Sequence, residues 1–271
     1  MSGLVFTKMV GTGNDFIVIE NGLTIIQPHR RTKLIQCLCD RKYGIGADGV
    51  LFLEKSKKAD LRMRIINSDG SEAEMCGNGA RCAVLYAHNR LALKNKKNIR
   101  LETRAGIIDS EVHKDSVKVK LTDPHKLKLD IPLVVNGRKL RVNFINTGVP
   151  HVVVFTEGLG SIGVVAIGRA IRNHPYFAPR GTNVNFIEVL GKNSIAVRTY
   201  ERGVEDETLA CGTGSTASAL IFASKTCCDG DVVVHTRSNE NLHIYFNRQG
   251  NSFRDVWLEG KVSFVFEGKI C

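Results

Sequence analysis

Cys76-Gly77-Asn78-Gly79 is matched 135 residues later by Cys211-Gly212-Thr213-Gly214, and each tetrapeptide opens a run of mostly small and apolar residues that reads as a helix. The chain carries two copies of one cysteine site. A cysteine at a helix entrance has its thiolate favoured by the unpaired N–H groups and positive dipole end there, which lowers a thiol pKa from roughly 8.5 towards neutrality. The same N–H groups suit a carboxylate or phosphate. The pair therefore predicts two thiols facing one anionic substrate from opposite sides.

Working outward at the same spacing, Thr12-Gly13 falls on Thr147-Gly148, Asp48 on Asn183, Asn67 on Arg202 and Glu72 on Glu207. Apolar patterning repeats as well. The first half reads as strands at Leu4 to Met9 and Phe16 to Glu20, a helix after Pro28, strands at Val50 to Leu53 and Leu61 to Ile66, and the first cysteine loop with its helix. The second half gives strands at Val142 to Ile145 and Val152 to Phe155, a helix near Val164 to Asn173, strands at Val184 to Val189 and Ile195 to Tyr200, and a helix from Gly214 to about Ala223. This is an α/β protein of two domains, each about 130 residues, a size ordinary for one domain. Thr122 to Pro132, polar and bracketed by prolines, reads as the linker, so the expected domains are 1–125 with Cys76 and 126–271 with Cys211. The terminal strand 261–271 is a candidate to pack back on the first.

At 43% hydrophobic and 24% charged residues, the 271-residue chain is ordinary globular material. No apolar run spans a bilayer and Met1 to Val10 has no signal-peptide layout, so the expected location is cytoplasmic, with no membrane partner. The net charge of +11 raises a nucleic-acid reading. The basic residues fall in scattered clusters such as Lys55 to Lys58 and Lys94 to Arg100, without a helical stripe or interleaved aromatics, which argues for a solvated surface and no nucleic-acid partner. Eight cysteines in such a chain do not form a disulfide framework, and their close pairs lack knuckle spacing, so no metal is expected. Cys37, Cys39 and Cys82 read as buried small hydrophobes within helices; Cys227, Cys228 and Cys271 receive no role. The glycine loops fit neither a P-loop nor a dinucleotide fingerprint.

Lys8-Met9-Val10-Gly11-Thr12-Gly13-Asn14-Asp15-Phe16, Asn67 with Asp69-Gly70-Ser71, Cys76 to Cys82, Gly148 with Pro150-His151, Asn183, and Glu201-Arg202-Gly203 through Cys211 to Gly214 together resemble the diaminopimelate epimerase family over nearly the whole chain. The resemblance implies two pseudo-symmetric α/β domains, each a curved, mostly antiparallel sheet around a central helix, with the active site in the cleft between them. It implies cofactor-independent inversion of one α-carbon, from L,L- to meso-diaminopimelate, on the route to lysine and peptidoglycan, by a homodimer. Cys76 and Cys211 are then the two acid/base groups, with His151 and Glu201 tuning them. The N–H groups of Gly77 and Asn78, and of Gly212 and Thr213, would hold the α-carboxylate. Asn14, Asn67, Asn183, Glu201 and Arg202 would bind the rest of the amino acid.

Three departures bear on specificity. Gly49 stands where members often carry glutamine, Val149 where they often carry asparagine, and Val204 to Glu207 is one residue longer than the common version. Weaker hold on the distal half of the substrate is expected, with slow racemisation of a shorter acidic amino acid such as glutamate. The alternatives are a related two-cysteine racemase for glutamate or a proline-type substrate, and a non-catalytic basic binding protein on the same fold.

Overall fold

The computed structural model describes residues 3–20, 26, 28–94, 96–226 and 228–270. The chain divides into two compact units, 1–119 with 260–271, and 120–259. In chain order the first unit holds β1 (Leu4–Gly11), β2 (Asn14–Glu20), α1 (Pro28–Cys39), β3 (Gly49–Glu54), β4 (Leu61–Asn67), β5 (Glu72–Ala73), α2 (Gly77–Arg90), β6 (Asn98–Thr103), β7 (Gly106–His113) and β8 (Ser116–Lys120). The second holds β9 (His125–Val135), β10 (Arg138–Asn146), β11 (Pro150–Phe155), α3 (Val164–Arg172), β12 (Asn183–Gly191), β13 (Ser194–Glu201), β14 (Asp206–Thr208), α4 (Gly212–Thr226), β15 (Gly230–His235), β16 (Asn241–Gln249) and β17 (Ser252–Lys261). The last strand, β18 (Ser263–Ile270), belongs to the first unit and pairs antiparallel with β1.

Strand pairing explains why each unit needs its helices. In the first unit β2 lies parallel to β3 and β4 parallel to β6, the other neighbours being antiparallel. In the second, β11 lies parallel to β12 and β13 parallel to β15. A parallel pair cannot be closed by a tight turn, so α1, α2, α3 and α4 are the four crossovers. The mostly antiparallel α/β arrangement expected from the resemblance is therefore present in each unit.

The cysteine-loop helices are the centres of the two units. Every residue from Asn78 to Ala87 in α2 and from Gly214 to Ala223 in α4 is buried. A helix buried around its whole circumference must be wrapped by its sheet, and the Gly, Ala, Ser and Cys side chains of these segments let the strands approach from all sides. The hydroxyls carried inside are satisfied on the helix itself, Thr216 and Ser218 donating to the carbonyls of Gly212 and Gly214 at 2.9 and 2.8 Å. α1 and α3 cover the outer sheet faces with separate cores, Ile17, Ile35, Val50 and Phe52 in one, Val152, Val164, Val184 and Phe186 in the other.

Three expectations need correction. The stretch read as a linker is largely β9, paired with β10 from Val142 to Ile131 and on to Arg138 with Val135. Cys37 is exposed, whereas Cys39 and Cys82 are buried, because Cys37 falls on the outer stripe of α1. The repeat is also out of step by one residue in its middle. Phe16 pairs with Gly49 and His151 with Asn183, while Phe52 faces Arg64 and Phe186 faces Arg198. Gly49 thus corresponds to Asn183, and Asn67 to Glu201, in place of Asp48 with Asn183 and Asn67 with Arg202. The register recovers where Glu205, at φ 59, absorbs the extra residue of the longer turn. Its carboxylate then anchors that turn, accepting from Gly203 N–H, Arg172 and Tyr200. After it, Arg64 with Glu72 and Arg198 with Glu207 form equivalent bidentate pairs at 2.7–2.8 Å. Of the cysteines left without a role, Cys227 and Cys271 lie outside the described residues; Cys228 is half-buried and its thiol is raised mainly by burial.

Candidate active site

In the first unit Cys76 is the N-cap of α2, extended at φ −141 and ψ 122, and its carbonyl accepts the first helical bond from Ala80 N–H at 2.8 Å. The N–H groups of the first turn, including Gly77 and Asn78, have no intrahelical acceptor and point out of the helix beside the cysteine. A methyl group placed on Gly77 would meet nothing within 4 Å outside the backbone of its own helix.

Asn78 joins the helix start to the β1–β2 turn. Its Nδ2 donates to Asn14 Oδ1, while its own Oδ1 accepts from buried Arg81 at 2.9 Å. The same guanidinium nitrogen of Arg81 donates to Thr12 at 2.8 Å. Asn14 in turn donates to Asp48 at 2.9 Å, and Arg41 spans Asp48 and Asp15. Burial of Asp15 works to raise its pKa, but the hydrogen bonds and charges of Arg41 and Lys8 outweigh it and hold the carboxyl at about 2. Asn67 sits opposite Gly49, next to Asp48, and its amide donates to Ser71 at 3.0 Å. Asn14 therefore links Asp48 to Asn78, and Asn67 lies across the β3–β4 pair from the residue after Asp48.

In the second unit Cys211 precedes the first residue of α4, is 8% exposed, and gives its carbonyl to Ser215 N–H at 2.8 Å. Its sulfur lies 3.5 Å from Thr213 Oγ1, and His151 Nε2 lies 3.0 Å from the same oxygen. His151 is fully buried; burial first, and the charge of Arg202 second, lower its pKa to about 3, so the ring is neutral. Thr147 fixes the β10–β11 turn to the helix start by donating to the carbonyl of Thr213 at 3.0 Å.

Asn183, paired with His151, uses Oδ1 to accept Arg202 N–H at 2.9 Å and Nδ2 to donate to the Pro150 carbonyl at 3.1 Å. Glu201 ends β13, half-buried, immediately before Arg202. The second unit thus gathers Cys211, Thr213, His151, Asn183 and Arg202, and the first gathers Cys76, Asn78, Asn14 and Asn67. Sequence reasoning did not find Arg41 or Asn185. For Asn185 a signal was available: it stands two residues after Asn183, hence on the same strand face, and asparagine is unusual within a buried strand.

The family model described as diaminopimelate epimerase matches residues 6–127 and 143–265. The diaminopimelate epimerase of Archaeoglobus fulgidus is 45% identical over 279 residues, covering 98% of this chain and 95% of its own. That of Aquifex aeolicus is 43% identical over 276 residues, covering 98% and 97%. Among solved structures, a Bacillus anthracis phenazine biosynthesis protein of the PhzF family superposes with a TM-score of 0.77 at 16% identity, covering all of both chains. A hydroxyproline epimerase from Agrobacterium vitis gives 0.75 at 16% identity, covering 100% of this chain and 91% of its own. At these identities the solved structures speak for the two-domain fold alone.

Proposed function

The chain belongs to the diaminopimelate epimerase family, and from that premise we propose how it works: it is an isomerase that epimerises L,L-diaminopimelate to the meso form, in lysine and peptidoglycan precursor synthesis, with Cys76 and Cys211 as its two bases. One thiolate takes the α-proton and becomes a thiol, and the pair of electrons left on carbon is delocalised into the α-carboxylate. The other thiol gives its proton to the opposite face and becomes a thiolate. Protons balance within one turnover, and the reverse reaction exchanges the two roles.

The observation that carries this reading is that both cysteines stand immediately before the first residue of a helix buried at the centre of its own unit. The dipole ends and free N–H groups at Gly77, Asn78, Gly212 and Thr213 favour thiolate and hold the carboxylate on which charge builds. Arg202 is suited to a bidentate grip on the distal carboxylate, with Asn14, Asn67 and Asn183 as amide ligands and Glu201 beside it. His151 and Glu201 tune the thiols. Incubation with diaminopimelate in heavy water tests the activity: deuterium must enter the α-position as the isomers equilibrate, and no uptake by folded protein contradicts it.

We place the enzyme in the cytoplasm as a homodimer. Among the described residues no helix is long and apolar enough to cross a membrane. Val5 on β1 and Val265 on β18, exposed apolar side chains, are candidates for a surface of self-association, which sedimentation would measure.

A further inference from the structure

Asn185 has no part in the two-thiol scheme, yet it is fully buried on β12 and makes three hydrogen bonds with its side chain. Its orientation is fixed by chemistry. The atom 2.9 Å from the Val152 carbonyl must be the nitrogen, because a carbonyl oxygen only accepts. Oδ1 then takes the Thr199 hydroxyl at 2.9 Å, and the second N–H of the amide points at His151 Nδ1, 3.2 Å away. A ring nitrogen that accepts carries no proton, so the neutral imidazole has its hydrogen on Nε2, aimed at Thr213 Oγ1. A threonine hydroxyl that accepts this bond still has its own hydrogen to give, and Cys211 Sγ is 3.5 Å away.

We propose that Asn185 is a positioning residue which, by locking the tautomer of His151, turns the Thr213 hydroxyl hydrogen toward Cys211 and favours the thiolate of that sulfur. The groups around the ring agree with this. Arg202, after β13, opposes protonation of the imidazole; β12 contributes neutral Asn183 and Asn185; the start of α4 contributes Thr213 and Cys211. When the sulfur carries the proton, the same hydroxyl oxygen can accept it, so the relay serves both directions. Gly214 fits the scheme too, since a methyl group there would overlap Asn185 Oδ1.

The proposal rests on Cys211 being a reacting thiol, but its first test does not. Nitrogen-15 shifts of His151, assigned by their loss in His151→Gln, should report a single neutral tautomer protonated at Nε2; a proton on Nδ1 would overturn the relay. Asn185→Leu removes the donor and should let the Nδ1-protonated form appear, whereas an unchanged single tautomer contradicts the role of Asn185. Site-resolved alkylation of Cys211 reads the thiolate directly. Thr213→Val should slow it about tenfold at pH 7, one pKa unit, and Thr213→Ser should restore it; alkylation of Thr213→Val at the normal rate rejects the relay even if the Asn185 variant fails to fold.

Discussion

His151 Nε2 lies 3.0 Å from Thr213 Oγ1 while the ring itself has no exposed surface, so this histidine is held neutral in the folded protein. Its pKa of about 3 is below the unfolded value of about 6.5. Below about pH 6.5 the unfolded chain binds a proton that the folded chain refuses, and stability falls as pH drops towards about 3, by on the order of 1.4 kcal/mol per unit. Urea midpoints should therefore decline between pH 6.5 and 4.5, and His151→Gln should flatten that decline. A wild-type midpoint independent of pH over this window would contradict the burial argument. Asp15, depressed to about 2, loses its contribution only below about pH 4, outside this window.

The two glycine loops are expected to respond differently to alanine. Gly214→Ala pushes a methyl group into Asn185, which Val152 and Thr199 hold in place, and should cost about 1 to 3 kcal/mol of stability. Gly77→Ala meets nothing outside the backbone of its own helix and should leave the melting temperature unchanged while raising KM, because the methyl group crowds the first-turn N–H groups. Calorimetry and kinetics on the two variants check this; equal stability losses would contradict it.

Asp48→Ala removes the acceptor that holds Asn14 Nδ2 and one of the two carboxylate partners of Arg41, which keeps Asp15. Asp48 and Arg41 are substantially exposed, at 39% and 60%, so little stability should be lost. Loss of one positioning hydrogen bond, worth about 1 kcal/mol, should raise KM about fivefold with kcat less affected. A fall in kcat alone would show that Asn14 does not position ground-state substrate.

Relaxed specificity is the expected consequence of Val149, half-buried in the β10–β11 turn. Slow α-proton exchange on glutamate should accompany the main reaction, and Val149→Asn should lower the ratio of glutamate to diaminopimelate exchange. Glutamate that never exchanges, with Val149→Asn changing nothing, would show the departure to be neutral. Gly49→Gln is a poorer test, because a side chain there begins 2.7 Å from the Ile66 carbonyl oxygen and would disturb the β3–β4 pairing.

Much of this was legible in the chain itself. The cysteine loops, the four crossover helices and strands β1 to β4 and β10 to β13 follow from periodicity and glycine placement, because burial on one face or on all faces leaves a pattern in sequence. β9 does not stand out in the sequence because Lys126, Lys128 and Asp130 look like linker residues, and the solvated part of a strand tolerates them. The one-residue slips between the repeats were hidden because strand register is set by pairing across the sheet, which a fixed shift along the chain cannot see. Asp48, Arg41 and Asn185 act through side chains that meet only after folding, 26 to 34 residues apart in sequence. Their roles are properties of the fold.

The most direct test of the two-thiol account is overall epimerisation of diaminopimelate by Cys76→Ser and by Cys211→Ser, each confirmed folded. A hydroxyl is far too weak an acid or base for either proton transfer, so each variant should lose at least about 100-fold in turnover. If either serine variant equilibrates the isomers at near wild-type rate, the reaction does not use one thiol from each repeat, and the account is wrong at its centre.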